Sequence, residues 1–430
     1  MLRSWKYRLL TLIVTLAVPF AASAQTDGTY SGFSPYSVYG IGQLHQGGSA
    51  WNRGMGGVGI AARNKRFVNI ANPASVTARD SLSFMTDFGI SSRFSVFADG
   101  SKRAVNNTVN IDDFVISFPL WNHTAMMVGV TPVSDVGYKI TSSYIDLYTI
   151  QNSFVSSGNG GIYQVFAAFG GTLWNRLSLG VQGMYMFGNI NKSATQSYSD
   201  ETYRTYHSGD SLQVNNLAVK FGLQYEQPLT TTSYLTLGAT YKLSNRMDGH
   251  HIHYLEEGSY YREREETQLS NAGLRFGDEL GVGLSYRKSD IFMVEADYTR
   301  SDWRNCRFDE VYGFSNVGDK VFAASCAQSF RLGAEWTPNR NDIRYFLRRC
   351  TYRLGAYYDQ SYYTVDGKHV DAVGITLGMT VPVFRYYNGI SVGLDFGQRG
   401  LAPGQLKEYY AGINLGFNLF DIWFQKPMYD

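Results

Sequence analysis

The chain is poor in charged residues, in proline and in long apolar runs, and each shortage narrows its class. Asp, Glu, Lys and Arg make up 17% of the 430 residues, and the net charge is only +2. This charge argues against a nucleic-acid-binding protein, which needs a basic surface. After residue 24 no segment reaches the length of about 20 apolar residues that a transmembrane helix needs. With only 10 prolines, no Pro-rich linker divides the chain, so we expect one large domain.

The first 24 residues have the pattern of a secretory signal peptide. Lys6 and Arg8 form a basic start, Leu9 to Phe20 an apolar core, and Ala22 to Ala24 an A-x-A cleavage site. A membrane anchor is the alternative, but the apolar run is short for a bilayer. We therefore predict cleavage before Gln25.

Cysteine is also scarce, with three residues in a chain predicted to be exported. An odd number leaves at least one thiol unpaired. Cys306 and Cys326 flank a predicted external loop and could form a disulfide, which would leave Cys350 free. The sequence leaves open whether this bridge forms.

Tyrosine and glycine are abundant, with 32 and 45 residues, and aromatic residues make up 15% of the chain. This excess, combined with low charge, is typical of transmembrane β-strands with aromatic girdles. From residue 82 onward apolar and polar residues alternate with period two, the signature of strands with two different faces. We count about fourteen strands. Their predicted ranges are 82–97, 109–120, 123–149, 161–171, 175–194, 212–228, 233–247, 270–287, 290–304, 320–337, 348–363, 371–384, 389–399 and 408–424.

Short and long connections alternate along these strands, which favours a membrane barrel over a β-sandwich or a β-propeller. The tight turns would lie in the periplasm and the long links outside the cell. The predicted long loops are 98–108, 195–211, 248–269 and 305–319. The predicted fold is all-β, a transmembrane antiparallel β-barrel of about fourteen strands with an N-terminal plug in its lumen. The predicted boundaries are 25–81 for the plug, 82–424 for the barrel and 425–430 for a periplasmic tail.

The plug prediction depends on a segment rich in small residues, Gly54 to Ser75, which precedes the first strand. Its candidate functional residues are Gly54, Gly56, Gly57, Asn72, Pro73 and Ala74. The glycine spacing Gly54-x-Gly56-x-x-Gly59 matches a dinucleotide fingerprint, but no apolar strand precedes it, as that motif requires. We therefore predict no cofactor.

A signal peptide, this Gly/Ala-rich segment, Asn72-Pro73-Ala74 and about fourteen strands together resemble the FadL/TodX-type family of outer-membrane hydrophobic-compound transporters, with the general look of a Bacteroidetes member. The resemblance implies an N-terminal hatch inside the barrel and a kinked third strand that opens the wall sideways. Pro132, Ser134 and Asp135 interrupt the third strand and are the candidate lateral gate. The alternative is a simple bulge or turn, since proline cannot donate to a ladder.

The predicted function is an outer-membrane channel for passive uptake of small hydrophobic or amphipathic compounds. Inward positions include many charged residues, such as Glu295, Asp297 and Arg331, which favours amphipathic cargo. The alternative is a non-transport barrel subunit that scaffolds an outer-membrane secretion or assembly complex. We place the protein in the outer membrane of a Gram-negative bacterium.

The predicted partners are outer-membrane lipid, lipopolysaccharide, the small molecule and other outer-membrane proteins, but no nucleic acid. No G-x-S-x-G elbow or comparable catalytic set occurs, so we predict no enzyme activity. His250, His251 and His253 fall in a predicted external loop, where a metal site and a solvated charged tip are the two alternatives. The charged tip is favoured, so no metal site is predicted.

Overall fold

The computed structural model describes residues 32–45, 47–80, 82–145, 150–200, 202–258, 261–308, 316–317, 320–383 and 388–422. The predicted signal peptide (residues 1–24) and the predicted tail (425–430) lie outside these residues. Residues 32–80 are called the N-terminal segment below. It contains strand β1 (Gln43–Leu44), helix α1 (Ala50–Arg53) and two 3₁₀ turns, Pro35–Val38 and Pro73–Thr77.

The remainder of the chain is almost entirely strand. The strands in order are β2 (Ser83–Asp99), β3 (Lys102–Trp121), β4 (Thr124–Ile145), β5 (Gln151–Leu173), β6 (Leu177–Tyr198), β7 (Tyr206–Pro228), β8 (Ser233–Lys242), β9 (Asn245–Arg246), β10 (Asp248–Glu257), β11 (Tyr261–Gln268), β12 (Arg275–Phe276), β13 (Asp278–Lys288), β14 (Phe292–Asp302), β15 (Asn316–Val317), β16 (Lys320–Ala324), β17 (Cys326–Trp336), β18 (Thr351–Val365), β19 (Lys368–Pro382), β20 (Gly389–Arg399) and β21 (Lys407–Ile422). Two short helices, α2 (Leu269–Ala272) and α3 (Phe346–Arg349), lie in connections.

Fourteen strands pair with their neighbours in an antiparallel ring, which confirms the predicted barrel. The ring runs β2 to β8, then β13, β14 and β17 to β21. It closes because β21 pairs with β2 from Ile422–Ser83 to Lys407–Ala98. Because the ring is closed, most strand edges are paired with a neighbour. A lipid environment requires this pairing, since it offers backbone groups no other hydrogen-bond partners.

The two faces of the barrel wall are the reverse of those in a soluble protein. Leu237, Ile375 and Leu419 are 52%, 55% and 57% exposed on the outer face. Polar residues such as Thr236 and Asn418 alternate with them and are 3% and 2% exposed. An apolar exterior around a polar interior suits a wall surrounded by lipid. No helix in the described part of the chain has the length and hydropathy needed to cross a bilayer.

Three of the predicted long loops are wrong, because the strands continue through much of them. β2 and β3 are joined by a turn at Gly100 and Ser101 in place of the loop 98–108. β6 and β7 take up most of 195–211, and most of 248–269 forms the hairpin β10–β11, which pairs with β7. These stretches carry polar residues on both faces, so the alternation that reveals a lipid-facing strand is missing. Most of the loop 305–319 lies outside the described residues.

The strand extensions make one side of the barrel tall. β4, β5, β6 and β7 have 22, 23, 22 and 23 residues, whereas a transmembrane strand needs about 9–11. About half of each strand therefore lies beyond the bilayer, at the end opposite the tight turns. The hairpin β10–β11 adds two more strands to this extension.

The three cysteines are free thiols, so the possible bridge between Cys306 and Cys326 is not formed. Burial raises the pKa of the Cys306 thiol to about 12. Cys326 Sγ instead accepts a hydrogen bond from Arg300 Nε at 3.2 Å. A thiol with a raised pKa is a poor nucleophile, so Cys306 has the character of a packing residue.

Candidate functional site

The N-terminal segment contacts strands on several sides of the ring. Its turn Pro73–Thr77 packs against β4 to β7, and helix α1 packs against β19 to β21. The first turn, Pro35–Val38, packs against β4. The candidate site is therefore the set of contacts that fixes this segment to the wall.

Asn72 attaches the segment to one side of the wall. Its side-chain amide donates to the carbonyl oxygens of Ile60, Leu223 and Ala239 at 2.7, 3.2 and 3.4 Å. Its side-chain oxygen accepts from the Ala74 backbone N–H at 3.0 Å, which caps the 3₁₀ turn. Pro73 follows in the first position of that turn, where a missing N–H costs nothing. In the Asn72-Pro73-Ala74 triplet, Asn72 is therefore explained by its hydrogen bonds and Pro73 by its position at the start of the turn.

Gly56 and Gly57 lie where the segment touches another part of the wall, at β17 and β18. Their φ angles are +73° and +78°, a region that side chains strongly disfavour. A Cβ on Gly56 would lie 2.8 Å from the Leu332 carbonyl oxygen, and one on Gly57 would lie 2.2 Å from Arg331 Nη1. Gly54 packs against Gly378, with its added Cβ at 3.1 Å from the Gly378 Cα. The predicted plug glycines therefore lie at backbone-to-wall contacts.

Two carboxylates of β14 bind four backbone amides of the segment. Asp297 Oδ2 accepts from the N–H groups of Gly59 and Ile60 at 2.7 and 3.0 Å. Glu295 Oε1 accepts from those of Ala61 and Ala62 at 2.7 and 2.9 Å. Glu295 is fully buried. Two carboxylates spaced i, i+2 on the inner face of a strand were visible in the sequence, but their backbone partners were not.

The wall is interrupted between β3 and β4. The two strands pair from Trp121–Thr124 to Phe114–Val130, and beyond that point residues 102–113 and 131–145 do not pair with each other. On its other side β4 has a bulge between Pro132 and Ser134. We call this interruption the wall gap. The candidate gate residues Pro132, Ser134 and Asp135 lie just beyond Val130, where the pairing of β4 with β3 ends.

The N-terminal segment covers part of the wall gap. Its strand β1 pairs with β4 through Gln43–Asp135 and Leu44–Ser134. Two backbone bonds extend this contact, from His45 N to the Val133 oxygen and from Ser34 N to the Gly137 oxygen, both at 2.8 Å. The segment thus supplies part of the strand pairing that β3 does not.

Side-chain charges join the two edges of the wall gap through the segment. We call these residues the staple: His45, Arg53, Asn110, Asp112 and Asp135. Arg53 Nη1 pairs with Asp112 Oδ2 at 2.6 Å, and Arg53 Nη2 lies 3.3 Å from His45 Nδ1. His45 Nε2 lies 3.2 Å from Asp135 Oδ2, which also accepts from Asn110 Nδ2 at 3.3 Å.

Asp112 lies outside the regular strand pairing of β3 because the strand has one extra residue at this position. Gly89 pairs with Asp113 and Ile90 pairs with Ile111, so Asp112 is bulged out of the ladder. Asp112 is 2% exposed, and its ion pair with Arg53 compensates for the burial of its charge. The doublet Asp112-Asp113 within a strand was a signal for this bulge that the sequence interpretation did not use.

The barrel contains a cavity of about 350 Å³, and the segment forms part of its lining. Charged side chains of both signs line it. The cations are Arg53, Arg93, Lys220, Arg331 and Arg399, and the anions are Asp135, Glu279, Asp297, Asp359 and Asp395. Such a lining favours polar contents, because an apolar compound would displace water from charged groups.

The three clustered histidines lie in strand β10, which corrects their predicted position in a loop. His251 and His253 both contact Asp210 Oδ1 on β7, at 3.1 and 2.9 Å. His250 Nδ1 lies 3.2 Å from Glu266 on β11. They therefore connect neighbouring strands of the tall wall. Within the described ranges no group of three or more His, Cys, Asp or Glu residues has the arrangement of a metal site.

A model of the BamG family matches residues 6–430. The chain belongs to the BamG family. The match covers the N-terminal segment and all fourteen strands of the ring, so both are parts of one BamG chain. A comparison with curated proteins finds no match.

Solved structures with a similar fold include transporters and channels. The toluene transporter TodX of Pseudomonas putida has 14% identity and a TM-score of 0.59, with 89% of this chain and 100% of that chain covered. The toluene transporter TbuX of Ralstonia pickettii has 13% identity and a TM-score of 0.59, with coverages of 87% and 98%. A FadL homologue of Pseudomonas aeruginosa has 11% identity and a TM-score of 0.53, with coverages of 89% and 99%. Because the identities are only 11–14%, these similarities establish the fold of this BamG chain and nothing more.

These comparisons confirm the resemblance to FadL/TodX barrels at the level of fold. A barrel of this type implies the outer membrane of a Gram-negative bacterium. The Bacteroidetes origin, the plug and barrel boundaries, the roles of the plug and gate residues and the lack of an enzyme activity stay predictions for this BamG chain.

Proposed function

We propose that this BamG barrel is a closed scaffold subunit of an outer-membrane protein complex. The observation that carries the proposal is the staple, which fixes the N-terminal segment across the wall gap. Moving the segment aside would separate Arg53 from Asp112 and leave a buried charge unpaired. Breaking a buried ion pair in this way costs about 3–5 kcal/mol. The segment thus behaves as a fixed plug.

The other anchors support the same conclusion. Glu295 and Asp297 hold four backbone amides, and these bonds would all have to break before the segment could leave the wall. Each such hydrogen bond contributes about 0.5–1.5 kcal/mol. A barrel that must open for each molecule of cargo would need weaker attachments than these.

The tall wall gives the scaffold a surface for a partner. β4 to β7 and the hairpin β10–β11 form one continuous paired sheet beyond the bilayer. Paired strands hold their side chains in fixed positions, whereas long loops adapt to small ligands. A rigid surface of this height suits contact with another outer-membrane protein or an exported one.

Passive uptake of a small amphipathic compound is the second candidate, and the wall gap favours it. The strand pairing between β3 and β4 ends at Phe114–Val130, so a small molecule in the lumen would have a sideways exit once β1 moved. TodX and TbuX, which share the fold, are toluene transporters. The charged cavity favours an amphipathic compound over a hydrocarbon.

One preparation tests both candidates. The protein is extracted from its native outer membrane in mild detergent and divided between native mass spectrometry and conductance recording in planar bilayers. A scaffold is expected to retain stoichiometric outer-membrane protein partners and to show almost no conductance. A monomer that retains a specific small amphiphile would overturn the scaffold proposal and favour uptake.

The variant Arg53→Gln sharpens this test, with Arg66→Gln as the matched control. Both changes remove one positive charge from the N-terminal segment, but Arg66 pairs with the exposed Asp290 at the other end of the segment. If the staple closes the barrel, only Arg53→Gln raises the conductance. Equal conductance of both variants and the native protein would mean that the staple does not close the gap.

A further inference from the structure

The connection between β17 and β18 is long and carries a strong positive charge. We call residues 337–350 the rim link, and they lie at the end of the barrel where the other turns are tight. The connections β3–β4 and β5–β6 at this end have only two and three residues. The rim link contains four arginines and one acidic residue, Asp342, so its formal charge is +3, whereas the whole chain has a formal charge of +2.

Ion pairs compensate only part of this charge. Asp342 Oδ2 pairs with Arg348 Nη1 at 3.4 Å. Arg340 Nη1 pairs with Asp290 Oδ2 in the β13–β14 turn at 3.3 Å, and Arg66 pairs with the same oxygen at 2.8 Å. When Arg66 and Asp290 are counted with the rim link, the formal charge of the group is still +3.

The uncompensated charge belongs to two arginines. Arg344 and Arg349 form no ion pair within the described part of the chain, and Arg344 is exposed. Arg349 acts on the neighbouring Cys350 thiol, but burial raises the pKa of that thiol to about 11. The thiol is therefore neutral at pH 7 and does not cancel the charge of Arg349.

Large apolar side chains of the rim link also face outward. Ile343 is 96% exposed, and Tyr345 and Leu347 are about half exposed. These three residues alternate with arginines within one short stretch of chain. A mixture of basic and apolar side chains is typical of segments that lie in the interface between a membrane and water.

The position of the rim link agrees with this composition. The Tyr352 hydroxyl donates to the Leu347 carbonyl oxygen at 3.0 Å, and the Tyr352 ring lies 6.2 Å from the ring of Trp336. Trp336 is half exposed on the outer face of β17, in line with the lipid-facing Leu332. Tryptophan and tyrosine at the ends of membrane strands lie at the depth of the lipid headgroups. The backbone at Leu347 is therefore held beside the lipid-facing wall at this depth.

We propose that the rim link binds an anionic phospholipid of the periplasmic leaflet, with Arg344 and Arg349 on its phosphate and Ile343 and Leu347 against its acyl chains. A guanidinium donates two parallel hydrogen bonds to a phosphate group. Each cation near an anionic lipid surface increases the affinity about fivefold, which favours a negatively charged lipid over a zwitterionic one. The site lies outside the lumen, so it does not depend on whether the barrel is a scaffold or a channel.

The test measures which lipid the full-length protein retains. Protein in neutral detergent is mixed with equal amounts of dioleoyl-phosphatidylglycerol and dioleoyl-phosphatidylcholine, which have the same acyl chains and different headgroup charges. Native mass spectrometry then gives the ratio of the two bound lipids. We expect the anionic lipid to be retained at least tenfold more than the zwitterionic one.

Four variants locate the site. Arg344→Gln and Arg349→Gln are each expected to lower the ratio of anionic to zwitterionic lipid about fivefold. Ile343→Ser should lower the retention of both lipids and leave their ratio unchanged. Arg103→Gln is the matched control, because it removes an exposed positive charge at the opposite end of the barrel; its ratio should equal that of the native protein. Heat-modifiable gel mobility verifies that each variant is folded.

Three outcomes would overturn the proposal. One is that the native protein retains the two lipids equally. Another is that a folded Arg344→Gln or Arg349→Gln variant keeps the native ratio, and since Arg344 is exposed, its variant is expected to fold. The third is a stoichiometric protein partner that Ile343→Ser removes while the lipid ratio stays near one, which would assign the rim link to a protein interface.

Discussion

The N-terminal segment is attached to the wall in two different ways on two sides of the barrel. On the side of β17 to β19, backbone lies against backbone, and Gly54 and Gly56 allow this close approach. On the side of β3 and β4, the staple of charged side chains makes the attachment. Close backbone packing depends on the fit of two surfaces, whereas the staple depends on a buried ion pair. The difference predicts that the glycine side is sensitive to added side-chain volume and the staple to loss of charge.

The largest expected effect comes from filling the contact on the glycine side. A Cβ on Gly355 of β18 would lie 2.1 Å from the Gly56 nitrogen and 2.4 Å from the Met55 carbonyl carbon. Gly355→Val therefore forces backbone apart, and we expect at least about 3 kcal/mol of destabilisation or failure to assemble. The measurement is the fraction of heat-modifiable barrel in the outer membrane. Gly183→Val is the matched control, because nothing lies within 4 Å of an added Cβ there; similar loss in both variants would contradict the anchor.

The next largest loss of stability is expected from removing Arg53, the cation of the staple. Arg53→Gln leaves Asp112 buried without its partner, which we expect to cost about 3 kcal/mol. Amide hydrogen exchange in β1 should accelerate, while exchange in Gly59 to Ala62, which bind Glu295 and Asp297, should stay slow. The double variant Arg53→Gln/Asp112→Asn should recover part of the lost stability. Uniform acceleration along the whole segment would show that the two sides do not act separately.

A smaller effect is expected from Asn72→Ala. The substitution removes three hydrogen bonds to carbonyl oxygens and the cap on the 3₁₀ turn. Because each neutral bond contributes about 0.5–1.5 kcal/mol, we expect a loss of about 2 kcal/mol in the free energy of unfolding, measured by urea denaturation in detergent. Asn64→Ala, in the same segment, is the control. No difference between the two would contradict an anchoring role for Asn72.

Arg66→Gln is expected to have the smallest effect. Arg66 pairs with Asp290 at 2.8 Å, but the Asp290 side chain is 53% exposed. Ion pairs that reach solvent contribute about 0–1 kcal/mol, so the thermal midpoint should shift by little and less so at high salt. A loss as large as that of Arg53→Gln would mean that burial does not decide which ion pairs hold the segment.

Most of the fold was accessible from sequence because its signals are local. Period-two alternation is present within each strand that faces lipid, so strands such as β20 and β21 are visible from neighbouring residues alone. The strand extensions beyond the bilayer were mistaken for loops, since outside lipid both faces can be polar and the alternation disappears. The count of fourteen was confirmed, while most of the predicted long loops were wrong.

The candidate site was accessible only in part. The glycines, Asn72 and Pro132 stand out because each residue type has special backbone requirements. Their partners do not stand out, because a contact such as Asn72 to Ala239 or Glu295 to Ala61 joins residues far apart in the chain. The ion pair of Arg53 with Asp112 could not be known before the neighbouring strands were in position.

The sequence by itself determined that this chain forms a closed barrel, because alternating strands in lipid have no other way to satisfy their backbone groups. It also indicated a segment of small residues and a break in the third strand. Only the tertiary structure decided that this segment lies against that break and that Arg53 and His45 join its edges. These facts depend on strand register, and shifting a strand by one residue reverses the direction of every side chain.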